Sequence, residues 1–287
     1  MTDVRPAAVA GSWYPSTADR LAREVDGYVA AASVGDVGPP IAIVSPHAGL
    51  RYSGPVAAFA YRAIAPSHPR TAAPSHYTSV VLVGPSHFVG FDGVSIWPHG
   101  AWETPFGEVA IDESLASDIA GATREVIDHR PAHAREHSLE LQMPFIARLC
   151  PGVPIVPLVM GFQRRDTAFA LGDALARVIG KGSRSAAEGR HVLLVASSDL
   201  SHFHDARTAA AMDAVMLERV EQLDADALME ALEHEPHHAC GGGPMVSVLR
   251  AATQLGATHA RVLKYGDSGD VSGDKSSVVG YMAAAIW

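Results

Sequence analysis

Short apolar runs rich in β-branched residues alternate with longer amphipathic stretches along most of the chain. The short runs are almost continuously apolar, which predicts strands that are covered on both faces. The predicted strands span residues 41–45, 79–84, 94–97, 155–160, 191–196, 260–265 and 277–283. The predicted helices span residues 17–31, 54–64, 112–121, 166–179, 205–223, 225–233 and 244–255. This alternation predicts an α/β fold with a mixed, largely parallel sheet sandwiched between helices.

The breaks in the pattern predict one domain that spans residues 1–287. Small and polar residues collect with Pro and Gly in three stretches, 33–40, 66–77 and 181–190. None of the three separates halves of different composition, so we interpret them as surface loops.

Composition and charge exclude several classes of protein. The 287 residues include 22 Lys plus Arg and 31 Asp plus Glu, a net charge of −9, which argues against nucleic acid or an anionic membrane as the partner. The 48% hydrophobic content excludes a disordered chain. No apolar run approaches the roughly 18 residues of a membrane span, and no apolar stretch follows a basic one at the N-terminus. We therefore predict a cytoplasmic protein that does not cross a membrane.

Three of the predicted strands run directly into turns that contain a histidine, namely His47, His87 and His202. In open α/β sheets, ligands bind beyond the carboxyl ends of the strands, so neighbouring strands would bring these turns together. A histidine that only caps a turn is the alternative for each of them singly. Three histidines with the same placement favour a shared site.

Cys240 lies in a second candidate segment, ahead of the predicted helix 244–255 and followed by three glycines. The dipole of a helix N-terminus favours a thiolate, which makes Cys240 a candidate metal ligand or nucleophile. The alternative is a buried apolar cysteine, although the glycines favour a close approach of the backbone. Cys150 is typical of packing at a helix end, and two cysteines cannot form a disulfide framework.

A third polar cluster spans residues 135–144. If it is helical, His137 and Glu140 share one face, but Pro144 predicts a kink or a late helix start. A solvated acidic helix start would account for Glu136 and Glu140, although not for His137. Further along the chain, Asp199 and His202 are expected to form a carboxylate–imidazole pair.

Serine-hydrolase and nucleotide-binding motifs are missing. Because the chain has no Gly-x-Ser-x-Gly, we interpret Ser197, Ser198 and Ser201 as turn hydroxyls. Walker A, Rossmann, His-Glu-x-x-His and Cys-x-x-Cys patterns are absent as well.

Taken in order, several of these segments form a family signature. The chain contains Gly-Ser-Trp-Tyr-Pro at 11–15, Pro-His-Ala-Gly at 46–49, Gly-Pro-Ser-His at 84–87, Glu-His-Ser-Leu-Glu-Leu-Gln at 136–142 and Ser-Ser-Asp-Leu-Ser-His at 197–202. With Thr-Pro-Phe-Gly at 104–107 and Cys-Gly at 240–241, the chain resembles the MEMO family, whose bacterial and archaeal members are of the type called AmmeMemoRadiSam system protein B. That family is similar in fold to class III extradiol dioxygenases of the LigB type.

The resemblance implies roles for individual residues. His47, His87 and Cys240 match the positions of metal ligands, so one divalent metal per chain is expected: iron(II) first, with copper or zinc as alternatives. The resemblance also implies acid/base and substrate-binding residues. The acid/base residues are His137 and His202, with Asp199 alongside. Trp13 and Tyr14 match an aromatic edge associated with phosphotyrosine-peptide binding in a eukaryotic member. Together with Ser86 and Glu140, they are our candidate substrate-binding residues.

Three functions follow from these assignments. The first is a metal-dependent, dioxygenase-like oxidoreductase. The second is a module that keeps the fold but only binds a peptide or small ligand, and the third is a zinc-dependent hydrolase. The resemblance also implies a radical-SAM protein as a pathway partner, while the sequence leaves the substrate and the oligomeric state open, a homo-oligomer included.

Overall fold

The computed structural model describes residues 3–65, 76–182 and 191–287. The predicted loop 33–40 contains neither helix nor strand. The other two predicted loops, 66–77 and 181–190, lie mostly outside the described residues.

The described part of the chain contains twelve strands and ten helices. The strands are β1 Val4–Arg5, β2 Ala42–Ser45, β3 Ser79–Pro85, β4 Val94–Ile96, β5 Ala101–Thr104, β6 Gly107–Ala110, β7 Val126–Ile127, β8 Ile155–Met160, β9 Val192–Ser197, β10 His202–His204, β11 Ala260–Asp267 and β12 Val278–Ile286. The helices are α1 Ala18–Ala31, α2 Leu50–Ile64, α3 Glu113–Ala122, α4 Pro131–Ala134, α5 Met143–Leu149, α6 Arg165–Gly182, α7 Ala206–Glu221, α8 Ala225–His234, α9 Gly242–Gln254 and α10 Gly269–Ser272.

The main sheet has the strand order β10-β12-β2-β9-β3-β8-β4-β7, and β11 also pairs with β12. Its centre, β2, β9, β3 and β8, is parallel, and β12 and β4 flank this centre with antiparallel pairs. Every residue of the four central strands is buried, as their continuous apolar runs predict. The predicted α/β class and mixed sheet are thus confirmed, with the parallel pairing concentrated in the middle.

The helices cover both faces of this sheet. One group, α1, α2 and α5, packs together and meets the sheet through α2 on β2, β11 and β12. A second group, α3, α6, α7, α8 and α9, forms a continuous layer that meets the sheet through α9 on β2, β3 and β9 and α7 on β12. Such a layering buries the apolar stripe of each helix against the sheet.

Helix α2 begins four residues before its predicted start. Pro55 is well suited to a first helical position, which is why the sequence favours a start at residue 54. In the structure Leu50 is buried and its N–H donates to the carbonyl of Trp13, so tertiary contacts extend the helix beyond Pro55. The extension places Arg51 and Tyr52 in the first turn.

A small second sheet of β1, β5 and β6 was not predicted. Its strands are two to four residues long, too short to show an apolar period. Parallel pairing of β1 with β5 holds the N-terminal segment against the body of the protein.

Within the described ranges, no helix has both the length and the apolar character that a membrane span requires.

Candidate metal centre

The strand order brings three predicted ligands together. Strands β2, β9 and β3 are neighbours, and their parallel register leaves their carboxyl ends level. The turns that follow these strands carry His47, Asp199 and His87, and the loop before α9 adds Cys240. One ligand atom each from His47, His87 and Cys240 lies within 4.8 Å of the other two. The sequence-predicted metal ligands therefore form one cluster.

Hydrogen bonds determine which nitrogen of His47 faces this cluster. The Ser197 hydroxyl donates to the carbonyl of Ser138 at 2.6 Å and accepts from the Gln142 amide at 2.7 Å. The same amide nitrogen donates to the carbonyl of Pro46, which fixes its orientation. Since the single hydroxyl proton is thus used, Nδ1 of His47, 2.9 Å from the Ser197 oxygen, must be the donor. Nε2 of His47 keeps its lone pair for a metal.

Glu136 orients the His87 ring in the same way. Its Oε1 lies 2.9 Å from Nδ1 of His87, and its Oε2 accepts from the backbone N–H of His87 at 2.5 Å. Burial by itself would raise the pKa of this carboxyl, but the hydrogen bonds from His87 and from the backbone of Ser138 outweigh it and lower the pKa to about 2. The ionised Glu136 holds the proton of His87 on Nδ1 and leaves Nε2 free.

A second set of potential ligands, His87, Glu136 and His137, also lies within 4.8 Å. Oε1 of Glu136 already accepts from the backbone N–H groups of His137 and Ser138 in addition to the His87 ring. With Oε2 also accepting from the His87 backbone, this carboxylate serves to hold the His87 ring and the segment that follows it.

Cys240 completes the cluster from the loop before α9. A Cβ at Gly241 would collide with the carbonyl oxygen of Ser197, so only glycine lets this loop approach the end of β9. Sγ of Cys240 lies 3.1 Å from Nε2 of His47. Ligands bound about 2.0–2.3 Å from one metal ion lie roughly 3–3.7 Å apart, so the pair fits a shared ion.

The helix dipole does not activate the Cys240 thiol as the sequence suggests. Burial, followed by the nearby Asp199 carboxyl, raises the pKa of Cys240 well above its ordinary value. Without a metal the S–H is retained and points to the lone pair of His47 Nε2. Cys150, by contrast, is buried at the end of α5, as predicted.

Asp199 and His202 both line the pocket but do not form the expected pair. Oδ1 of Asp199 accepts from the backbone N–H groups of His47 at 2.6 Å and Ala48 at 3.2 Å. The His202 ring hydrogen-bonds to the backbone of Leu200 instead. Burial raises the pKa of Asp199 to about 7, against the lowering effect of the two backbone donors.

A pocket of about 530 Å³ opens over the cluster. His137 lies within it, stacked on the His87 ring at a centroid distance of 4.4 Å, and Trp13 covers His137 at the same distance. Burial, and then the neighbouring His87, lowers the pKa of His137 to about 4, so its ring is neutral near pH 7. The predicted site residues that line the pocket are Trp13, His47, His87, His137, Asp199 and His202.

Tyr14 and Glu140 lie behind the lining. Both are buried, and the Tyr14 hydroxyl donates to Oε1 of Glu140 at 2.9 Å. Glu140 also accepts from the backbone N–H groups of Ala8 and Val9 and pairs with the buried Arg5 at 2.7 Å. A solvated acidic helix start, the alternative for Glu140, is therefore wrong, and the same holds for the buried Glu136. This network anchors the N-terminal segment that carries Trp13.

Ser86 also faces away from the described pocket lining. Its hydroxyl donates to the carbonyl of Val89 at 2.7 Å and closes the turn after β3. Substrate contact by Ser86, Tyr14 or Glu140 stays a prediction.

The sequence reasoning missed three residues that orient the ligands: Glu136, Ser197 and Gln142. The sequence indicates a site role in the segment 136–142 only for His137 and Glu140, offers a solvated helix start for Glu136, and favours a turn hydroxyl for Ser197. The late helix start in this segment is confirmed, because α5 begins at Met143 with Pro144 in its first turn. The sequence carries no separate signal for Glu136 and Gln142, because the burial of residues 136–146 follows only from the tertiary structure.

Comparison with known proteins agrees with this geometry. Residues 5–285 match the profile of the family described as Memo-like protein. The chain is 36% identical over 293 residues to a MEMO1 family protein of Thermotoga petrophila, which covers 99% of each chain. It is 36% identical to one of Sulfolobus acidocaldarius over 98% of each chain, and 33% identical to one of Methanocaldococcus jannaschii over the full length of both. With the His, His and Cys cluster at its strand ends, this chain belongs to the MEMO family.

Proposed function

We propose that this protein is a metal-dependent, dioxygenase-like oxidoreductase that holds one iron(II) ion through His47, His87 and Cys240. The observation that carries the proposal is that Ser197 and Glu136 hold the Nδ1 protons of His47 and His87, so both rings keep an unprotonated Nε2 in the cluster that they form with the Cys240 thiol. A site that only packs three polar side chains has no need of such oriented lone pairs.

The bound iron would supply a place where dioxygen and a substrate oxygen meet. The other groups of the pocket would handle protons. Burial lowers the pKa of both His137 and His202, so each ring is neutral near pH 7 and can accept a proton from a substrate hydroxyl. Nδ1 of His137 has no hydrogen-bond partner among the described residues. Insertion of both oxygen atoms into one substrate consumes no external reductant.

The donor set leaves copper and zinc as alternatives that experiment can separate. Two imidazoles and a thiolate form a softer set than two imidazoles and a carboxylate, and a thiolate also suits copper and zinc. A zinc-loaded protein would favour the hydrolase function.

Exposed aromatic side chains around the pocket support a second candidate, the binding module. Trp13 and Phe88 are 39% and 50% exposed and lie on either side of His137. Phe203, beside His202, is 78% exposed. Such a rim offers apolar contact area to a peptide or a planar ligand. The radical-SAM partner and the cytoplasmic location stay predictions from the sequence.

The test is anaerobic purification of the full chain, elemental analysis, and measurement of oxygen uptake with a panel of catechols and phenols. Stoichiometric iron with substrate-dependent oxygen uptake is the expected result. A protein that holds zinc or no metal and takes up no oxygen contradicts the oxygenase proposal; it supports hydrolysis or ligand binding.

Variants separate metal binding from proton transfer. H47A and C240A should lose the metal, and C240S serves as a second variant should the alanine fail to fold. H234A, at an exposed histidine, and C150A, at the other cysteine, are the matched controls that should retain it. H202A should keep the metal and lose turnover, so normal turnover by H202A would remove its acid/base role.

A further inference from the structure

One cation at the mouth of the pocket has no acidic partner among the residues that the structure describes. Arg51 lies in the first turn of α2, lines the pocket and is exposed. Its guanidinium carbon lies 5.8 Å from the centroid of the Tyr52 ring. None of the ion pairs or hydrogen bonds formed by the described residues includes this guanidinium. Because arginine stays protonated at every physiological pH, the mouth carries a fixed positive charge.

The rest of the pocket does not neutralise Arg51. Among the described residues of the lining, Asp199 is the only acidic one. It is 4% exposed, and its Oδ1 is bound by the backbone of His47 and Ala48 at the pocket floor. The chain as a whole has a net charge of −9, so the positive charge at the mouth is opposite in sign to the net charge of the protein.

The first turn of helix α2 is also complementary to an anion. The 15-residue helix α2 has no acidic residue in its first turn and no side-chain cap, so its dipole adds to the positive potential. His137 also lines the pocket, but its Nδ1 is buried 3.5 Å from Oε1 of Glu136 and adds nothing to this potential. The rings of Trp13 and Tyr52 line the pocket as well and offer apolar contact area beside Arg51.

We propose that the pocket takes a small aromatic acid whose carboxylate or phosphate is bound by Arg51, while the opposite end of the ring reaches the metal ligands. The proposal rests on the function given above and names the substrate class for that site. A guanidinium binds both oxyanions through parallel N–H donors, and Arg is superior to Lys in this geometry. Arg51 then selects the substrate at the mouth, separately from the metal chemistry at the floor.

The test compares ligands that differ only in the anionic group. Calorimetric titration of the full chain measures Kd for catechol against protocatechuate, which adds a carboxylate, and for phenol against phenyl phosphate. We expect the better of the two anions to bind about tenfold more tightly than its neutral counterpart. In R51Q this ratio should fall to about one, and R51K should retain part of it. R23Q, at an exposed arginine on α1, is the matched control and should keep the full ratio.

The catechol–protocatechuate pair tests a carboxylate and the phenol–phenyl phosphate pair tests a phosphate, so the comparison identifies the preferred anion. Equal affinity for both members of each pair, an unchanged ratio in R51Q, or no binding of either acid at millimolar concentration overturns the role of Arg51. The titrations are repeated on chelator-treated protein. A preference for the acid that depends on Arg51, without oxygen uptake, would support the anion-binding role of Arg51 and contradict the oxygenase proposal. Oxygen uptake with a Kd that does not depend on Arg51 would support the oxygenase proposal and contradict the role of Arg51.

Discussion

The carboxylate of Glu136 lies 2.9 Å from Nδ1 of His87 and thereby leaves Nε2 of that ring unprotonated in the cluster with His47 and Cys240. The same carboxylate accepts the backbone N–H groups of the segment that carries His137. One buried acid therefore positions a predicted ligand and a predicted proton acceptor together.

Replacement of Glu136 by glutamine should weaken metal binding about 10- to 100-fold, because the His87 ring loses the acceptor that fixes its tautomer. The measurement is competitive metal titration against a chromophoric chelator. E24Q, in an exposed ion pair on α1, is the control. An E136Q protein with unchanged metal affinity would show that the His87 tautomer does not depend on this carboxylate.

Replacement of Ser197 by alanine should destabilise the protein by about 1–3 kcal/mol, because the Nδ1–H of His47 and one Gln142 N–H lose a buried acceptor. Urea unfolding of the metal-free protein measures this change directly. S16A, at an exposed serine, should leave the free energy of unfolding unchanged. Equal stability of S197A and S16A would refute the proposed orientation of the His47 ring.

Loss of charge at Glu140 should destabilise the protein by about 3–5 kcal/mol, because the buried Arg5 guanidinium then lacks its counterion. The variant is E140Q, and thermal unfolding followed by circular dichroism measures the effect. Glu140 also holds the segment before Trp13, so the accessibility of Trp13 to a fluorescence quencher should rise. E103Q changes a more exposed acid near the same segment and is the control. It should have a much smaller effect on the thermal stability and on the accessibility of Trp13.

The buried His133 should make stability depend on pH. Burial, and then the nearby Arg5, lowers the pKa of His133 to about 3 in the folded chain, against about 6.5 when unfolded. Between these values the unfolded state binds the extra proton, so this contribution is complete above about pH 6.5 and declines as the pH falls.

H133Q removes the titration and keeps a donor for the Ser95 carbonyl, which the His133 ring contacts at 3.1 Å. Between about pH 6 and pH 4, the free energy of unfolding of the parent protein should fall more steeply than that of H133Q, by about 1 kcal/mol per pH unit. Urea unfolding at several pH values provides the comparison, with H234Q as the exposed control. Parallel pH profiles of the parent protein and H133Q would contradict a neutral buried His133.

The local pattern of apolar and polar residues was sufficient to predict the main strands and helices. Each predicted strand and helix is present, with ends displaced by a few residues at most, because a buried strand or an amphipathic helix has its own period in the sequence. The strands that escaped prediction, β1, β5, β6, β7 and β10, have two to four residues and owe their geometry to their partners.

Hydrophobic periodicity was enough to predict the fold class, and the ordered motifs were enough to indicate the MEMO family. The candidate metal ligands His47, His87 and Cys240 were also accessible from the sequence, because two of them follow strands and the third precedes a helix. Tertiary structure alone decided which polar residues serve the site. Glu136 and Glu140 are both acids of one segment, yet one orients His87 and the other neutralises Arg5, and only the strand order and the buried N-terminal segment make that distinction. Arg51 likewise lines the pocket because α2 begins at Leu50, four residues before its predicted start.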